Sequence, residues 1–115
     1  MVCISVIYPN ASGPNASGPN SSGKKFDHEY YARHHMPLVM NRCKSFGLIR
    51  YEIDTGLAGG LPGSPAPFTC VGRLYFNTLE EFQKAIAAHG PEILGDVPNY
   101  TDIELEIQIS KMTPS

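Results

Sequence analysis

From Ile103 to Ser110 every second residue is apolar: Ile103, Leu105, Ile107 and Ile109 alternate with Glu104, Glu106, Gln108 and Ser110. A period of two puts those side chains on one face of an extended chain, which predicts a strand over 103–111 with one dry and one wet side. Such a strand needs a sheet to join and a layer to cover it, and the rest of the chain supplies both. Residues 2–8 are rich in Val and Ile and read as a buried strand stopped by Pro9. Residues 48–54 alternate in the same way, and 68–77 form a further strand; the Gly/Pro-rich segment 56–67 between them is a long loop.

Two segments have helical period instead. Asp27 is a good N-cap, and 28–46 read as a helix ended by Gly47. Tyr31, His35, Leu38, Val39 and Phe46 fall on its inward face, while Arg33, Asn41 and Lys44 point away. Pro37 lies inside it and predicts a kink or break at Met36-Pro37. The second helix covers 78–89, with Thr78 as N-cap and Glu81 completing a capping box. Gly90-Pro91 is expected to stop it, leaving a short helical turn and a loop over 92–102. The order β-α-β-β-α-β is an α+β, ferredoxin-like plan: a four-stranded antiparallel sheet with both helices on one face. The other face is expected to be partly apolar, which makes a homodimer through the sheets the expected assembly.

At 115 residues the chain is one domain over 1–115, and 42% hydrophobic with 17% charged residues is a globular composition. Inside it, Pro-Asn-Ala-Ser-Gly at 9–13 recurs at 14–18 and, as Pro-Asn-Ser-Ser-Gly, at 19–23. These tandem pentads have no apolar face to bury, so 9–23 reads as a surface loop. Asn10, Asn15 and Asn20 each open a glycosylation sequon, but a duplicated turn explains them without a modification. Net charge is −2, and nine Lys and Arg spread along the chain make no basic patch, so no nucleic-acid partner is expected. There is no apolar run of spanning length and no signal-like N-terminus, so no membrane is expected and a cytoplasmic location is. Cys3, Cys43 and Cys70 have neither disulfide nor zinc spacing and read as small core residues.

Among the four histidines, His28, His34 and His35 cluster, yet adjacent His34 and His35 point apart and no third ligand is evident. No metal is expected, and no Gly-rich phosphate loop or dinucleotide motif calls for a cofactor. His35 has two readings: a core histidine bonded to backbone, or a general acid/base beside a proline. Six tyrosines and no tryptophan suit either a pocket for a phenolic or quinone ligand or plain interface filling.

Several strings together resemble the EthD family, named for the degradation of ethyl tert-butyl ether: Phe26-Asp27-His28-Glu29-Tyr30-Tyr31, His35-Met36-Pro37-Leu38-Val39, Gly56-Leu57-Ala58-Gly59-Gly60 and Gly95-Asp96-Val97-Pro98-Asn99-Tyr100-Thr101. The resemblance covers nearly the whole chain. It implies a dimeric α+β barrel of two ferredoxin-like subunits, each with a pocket between helices and sheet. The family's histidine two before the proline maps onto His35 and its neighbouring aromatic onto Tyr31. Arg73 stands where a histidine is more usual, and the first loop is longer by about two pentads. The expectation is a small homodimeric enzyme of oxidoreductase, isomerase or decarboxylase type acting on an aromatic or polyketide-like molecule, without metal or cofactor. His35 would move the proton and Tyr31 would donate to a developing oxyanion. Tyr51, Phe68, Tyr75, Asp96 and Tyr100 would bind the substrate. The rival readings are a non-catalytic binding or oxygenase-accessory module and a haem binder with an axial histidine.

Overall fold

The computed structural model of the chain describes residues 1–10 and 25–113. Apart from Pro9 and Asn10, the pentad loop lies outside the described residues. Four strands, β1 (Val2–Pro9), β2 (Arg50–Thr55), β3 (Phe68–Phe76) and β4 (Glu106–Lys111), form one sheet in the order β2-β3-β1-β4. Every neighbouring pair is antiparallel. This is the α+β architecture that the alternation of elements calls for.

The first helical stretch begins where Asp27 caps it, its carboxylate accepting the Tyr30 N–H at 3.0 Å. One α turn, α1 (His28–Tyr30), leads into a π turn over Tyr31–His35, then α2 (Met36–Cys43), then a 3₁₀ turn over Lys44–Phe46. The kink or break expected around Met36-Pro37 takes the form of this π turn, which separates a short first segment from the longer α2. In a regular α-helix position 37 would have to donate to the Arg33 carbonyl, which proline cannot do and with which its ring collides. The chain instead widens by one residue, the Met36 N–H bonding the Tyr31 carbonyl. Pro37 thereby falls in the first turn of α2, where a donor is not needed. Gly47, at φ 113°, closes the stretch in the left-handed region.

The second long helix, α3 (Leu79–Asp96), starts with the expected capping box: Thr78 Oγ1 accepts the Glu81 N–H and the Glu81 carboxylate accepts the Thr78 N–H. It does not stop at Gly90-Pro91 but runs 18 residues to Asp96. Gly90 and Ile93 are buried against the core, and that burial outweighs the single bond that Pro91 withholds from Ala87.

The core lies between this helical layer and one sheet face, built on Ile4, Tyr8, Cys70, Leu74 and Phe76 below and Tyr31, Met36, Val39, Phe82 and Ile93 above. The last strand is shorter than 103–111: Ile103 packs into the core before the ladder begins at Glu106. Ile107 and Ile109 pair with Val6 and Ile4, so they share the helical side, yet they remain 51% and 44% exposed because the helices stop short of this edge.

The opposite sheet face is mixed, partly apolar as expected. By register it carries Cys3, Ile7 and Val71 among Ser5, Arg50, Glu52, Asp54, Arg73, Tyr75 and Gln108. Arg73 pairs with Asp54, the Tyr75 hydroxyl donates to Glu52, and the Arg50 guanidinium sits 4.2 Å over the Tyr75 ring. All three cysteines are free and buried; burial pushes the Cys70 thiol up to about 12.

Candidate active site

The site is the meeting of two helix ends. The Asp27 N–H donates to the Tyr100 carbonyl at 2.8 Å, Phe26 and Thr101 form a bridge, and Thr101 Oγ1 donates to the Lys25 carbonyl. These bonds tie the start of the first helical stretch to the segment following α3. Because α3 continues past Pro91, its last residue, Asp96, arrives beside His35.

His35 Nδ1 lies 2.9 Å from Asp96 Oδ2. The other carboxylate oxygen, Oδ1, accepts the Tyr30 hydroxyl at 2.8 Å and the Asn99 side-chain amide at 3.0 Å. Burial works to raise the Asp96 carboxyl, but donation from Asn99, His35 and Tyr30 outweighs it and holds the group below the usual carboxylate range. Asp96 is therefore an anion at neutral pH. His35 is 4% exposed, and its burial lowers the imidazole below 6.5 despite the pull of Asp96. A neutral ring whose Nδ1 faces a carboxylate keeps its proton on Nδ1 and a lone pair on Nε2. That is the protonation state of a base.

His35 lines an apolar cavity of about 110 Å³ between helices and sheet, together with Val6, Val39, Cys43, Phe76 and Ile93 among others. The cavity reaches half-exposed Leu94 and Ile107, so it opens along the β4 edge. Aromatic rings fix the imidazole: Tyr31 lies nearly parallel to it, at 15° with centroids 5.6 Å apart, and Tyr100 packs at 4.6 Å. The Tyr8 and Tyr100 hydroxyls share a hydrogen bond of 2.7 Å, and burial raises both phenols. Burial also raises the Tyr31 phenol. Its hydroxyl is buried without a hydrogen-bond partner, directly over Gly72, where a Cβ would collide with it.

Of the residues expected from sequence, His35, Tyr31, Asp96 and Tyr100 are brought together. Tyr51, Phe68 and Tyr75 are not. Tyr51 packs on the core from edge strand β2, outside the cavity wall. Phe68 lies exposed at the start of β3, and Tyr75 is on the opposite sheet face. Tyr31 contributes its ring to the cavity, its hydroxyl being turned onto the sheet. Sequence reasoning missed Tyr30, Asn99 and Tyr8. The spacing of Asp96 and Asn99 at i, i+3 was a local signal; the His35–Asp96 pairing, 61 residues apart, had none. No group of three or more His, Cys, Asp or Glu side chains fit to hold a metal occurs among the described residues.

The family described as the EthD domain matches residues 21–104, most of the chain, including His35, Asp96 and the groups that hold them. The chain belongs to the EthD family. An EthD-like protein from Ralstonia eutropha JMP134 is similar to it at 36% identity and a TM-score of 0.80, covering 96% of this chain and 89% of that one. An ethyl tert-butyl ether degradation (EthD) family protein from Bacillus halodurans C-125 shares the fold at 17% identity and a TM-score of 0.61, covering 98% and 99%. HapK from Hahella chejuensis shares the fold at 9% identity and a TM-score of 0.54, covering 100% and 95%. No curated protein matches significantly. The EthD string around His35-Met36-Pro37 is thus the segment that widens into the π turn, and the Asp96–Tyr100 string supplies the partner carboxylate.

Proposed function

We propose that this EthD-family protein is a homodimeric enzyme that transfers a proton on a small aromatic or polyketide-like molecule, with His35 as the base. The observation that carries this reading is the Nδ1–Oδ2 contact of 2.9 Å, which leaves Nε2 unprotonated on a histidine that lines an apolar cavity. An apolar cavity of about 150 Å³ is enough to hold benzene. One of about 110 Å³ therefore suits a single ring or ring edge, with the remainder of a larger molecule passing out by Leu94 and Ile107.

The chemistry is a single step with a clear balance. A weakly acidic C–H or phenolic O–H of the substrate gives its proton to Nε2. The electron pair stays on the substrate as an enolate or phenolate, and Asp96 stabilises the imidazolium through Nδ1–H. Isomerisation follows directly from this step, the imidazolium returning the proton to a second position of the anion. Tyr31 supports the ring of His35 by stacking, with Asp96 and Tyr100 completing the frame.

One observation favours the rival reading of a non-catalytic binding module: no second proton donor reaches the cavity from Tyr31, whose hydroxyl is buried. Proton exchange separates the two. Aryl ketones and hydroxynaphthoquinones incubated in D₂O should exchange their acidic hydrogens roughly 10²–10⁴-fold faster with the wild type than with His35→Ala. The wild-type rate should fall as the pH drops below about 6.5, because a protonated ring cannot accept. Equal exchange with both proteins removes His35 from the chemistry, and saturable binding without exchange establishes the module.

A further inference from the structure

Residues five apart on an α-helix point to different sides, since the chain turns once in 3.6 residues. Tyr30 and His35 are five apart, and on such a helix they could not grip one carboxylate. The π turn over Tyr31–His35 closes its rings over five residues, which brings the two side chains into line. Both then reach Asp96, from opposite oxygens: the Tyr30 hydroxyl to Oδ1 at 2.8 Å and His35 Nδ1 to Oδ2 at 2.9 Å.

We propose that Tyr30 is a positioning residue: by holding Asp96 Oδ1 across the π turn that precedes Pro37, it keeps Oδ2 on His35 Nδ1 and fixes the imidazole in its Nδ1–H tautomer. This rests on the reading of His35 as the proton-transfer group. A carboxylate rotates easily about its last torsion, which is broad and two-fold. Two donors on one oxygen, Tyr30 and Asn99, remove that freedom and aim the other oxygen. Tyr30 is itself held in place, its ring stacked on Tyr100 at 22° with centroids 6.2 Å apart and tilted against His34 at 4.9 Å. The groups that face His35 are few. Asp96 comes from α3, Tyr31 from its own turn and Tyr100 from the segment after α3, while Tyr8 of β1 and Cys43 of α2 line the same cavity. Asp96 is the one charged group among them.

Nitrogen-15 NMR of the full chain tests this without any substrate. The Nδ1 and Nε2 shifts of His35 report the tautomer, and their pH dependence reports its titration. The wild type should show the Nδ1–H tautomer with a midpoint below 6.5. Tyr30→Phe keeps the ring and its stacking but removes the donor. It should mix the tautomers and lower the midpoint further, by about half a pH unit, a threefold loss in proton affinity, because the pull of Asp96 that opposes burial weakens as Oδ2 leaves Nδ1. Asn99→Ala should move both readouts in the same direction and serves if Tyr30→Phe fails to fold. A native amide spectrum with an unchanged tautomer and midpoint overturns the proposal, as does an Nε2–H tautomer in the wild type. Loss of the base reading through His35→Ala would leave this result standing, so the two failures are distinguishable.

Discussion

At Gly72 a strand gives way to a side chain. The Tyr31 hydroxyl presses on the one position of β3 where a Cβ is missing, and it finds no hydrogen-bond partner there. Gly72→Ala should destabilise the protein by about 1–3 kcal/mol through overpacking. Tyr31→Phe deletes a hydroxyl that bonds nothing and should cost less than about 1 kcal/mol, or stabilise. The double variant should recover much of the loss, since the collision disappears with the hydroxyl; denaturant melts of the three variants measure that coupling. His35 belongs to the same scale. Its pKa is lowered by burial, so the unfolded chain takes up a proton first and stability is lost as the pH falls below about 6.5. Asp96 is also lowered, and its contribution is lost further down, as the pH falls through the range below 3.8. A melt series from neutral to acid should show the first loss in the wild type and a flatter curve in His35→Gln. Sequence made His35 and Tyr31 visible through helical period. It could not show which way the Tyr31 hydroxyl turns, because the absence that receives it sits on a distant strand.

Elements show where one proline signal held and the other misled. Pro37 marks an interruption of its helical stretch, whereas Pro91, expected to end a helix, does not. At Pro37 the backbone widens into a π turn. At Pro91 burial of Gly90 and Ile93 carries the helix across. A local signal of that kind states a cost and leaves out what the tertiary contacts return. Where the local signal and the packing agree, as at the Thr78–Glu81 box, sequence and structure coincide. The two helical stretches are also coupled end to end. A Cβ on Gly47 would strike the Glu81 carboxylate that caps α3, and Gly47 is already at positive φ. Gly47→Ala should therefore cost more than about 1 kcal/mol, and chemical denaturation against Thr78→Ala shows whether the losses add.

For the whole molecule the sheet order was legible from the rhythm of the segments, and the ion pair on its open face was not. Reading 103–111 as an alternating strand gave its apolar side correctly but not its exposure, because coverage depends on where the helices end. A homodimer through the open faces would bring together two copies of Arg50, Glu52, Asp54 and Arg73. Arg73→Glu places a third acid beside Glu52 and Asp54, and sedimentation should then show a monomer. A dimer unchanged by that substitution puts the interface elsewhere, with the exposed Ile107–Ile109 edge as the next surface to examine.

The proline inside α3 has a consequence for how the protein fails. With one rung missing at Ala87, the turn that carries Asp96 is joined to the rest of its helix more weakly than the helix is joined to itself. Local opening of that turn, with its amides exchanging ahead of those before Gly90, withdraws the carboxylate and silences the histidine while the sheet stays intact. Heat should switch the proposed proton transfer off before it unfolds the chain.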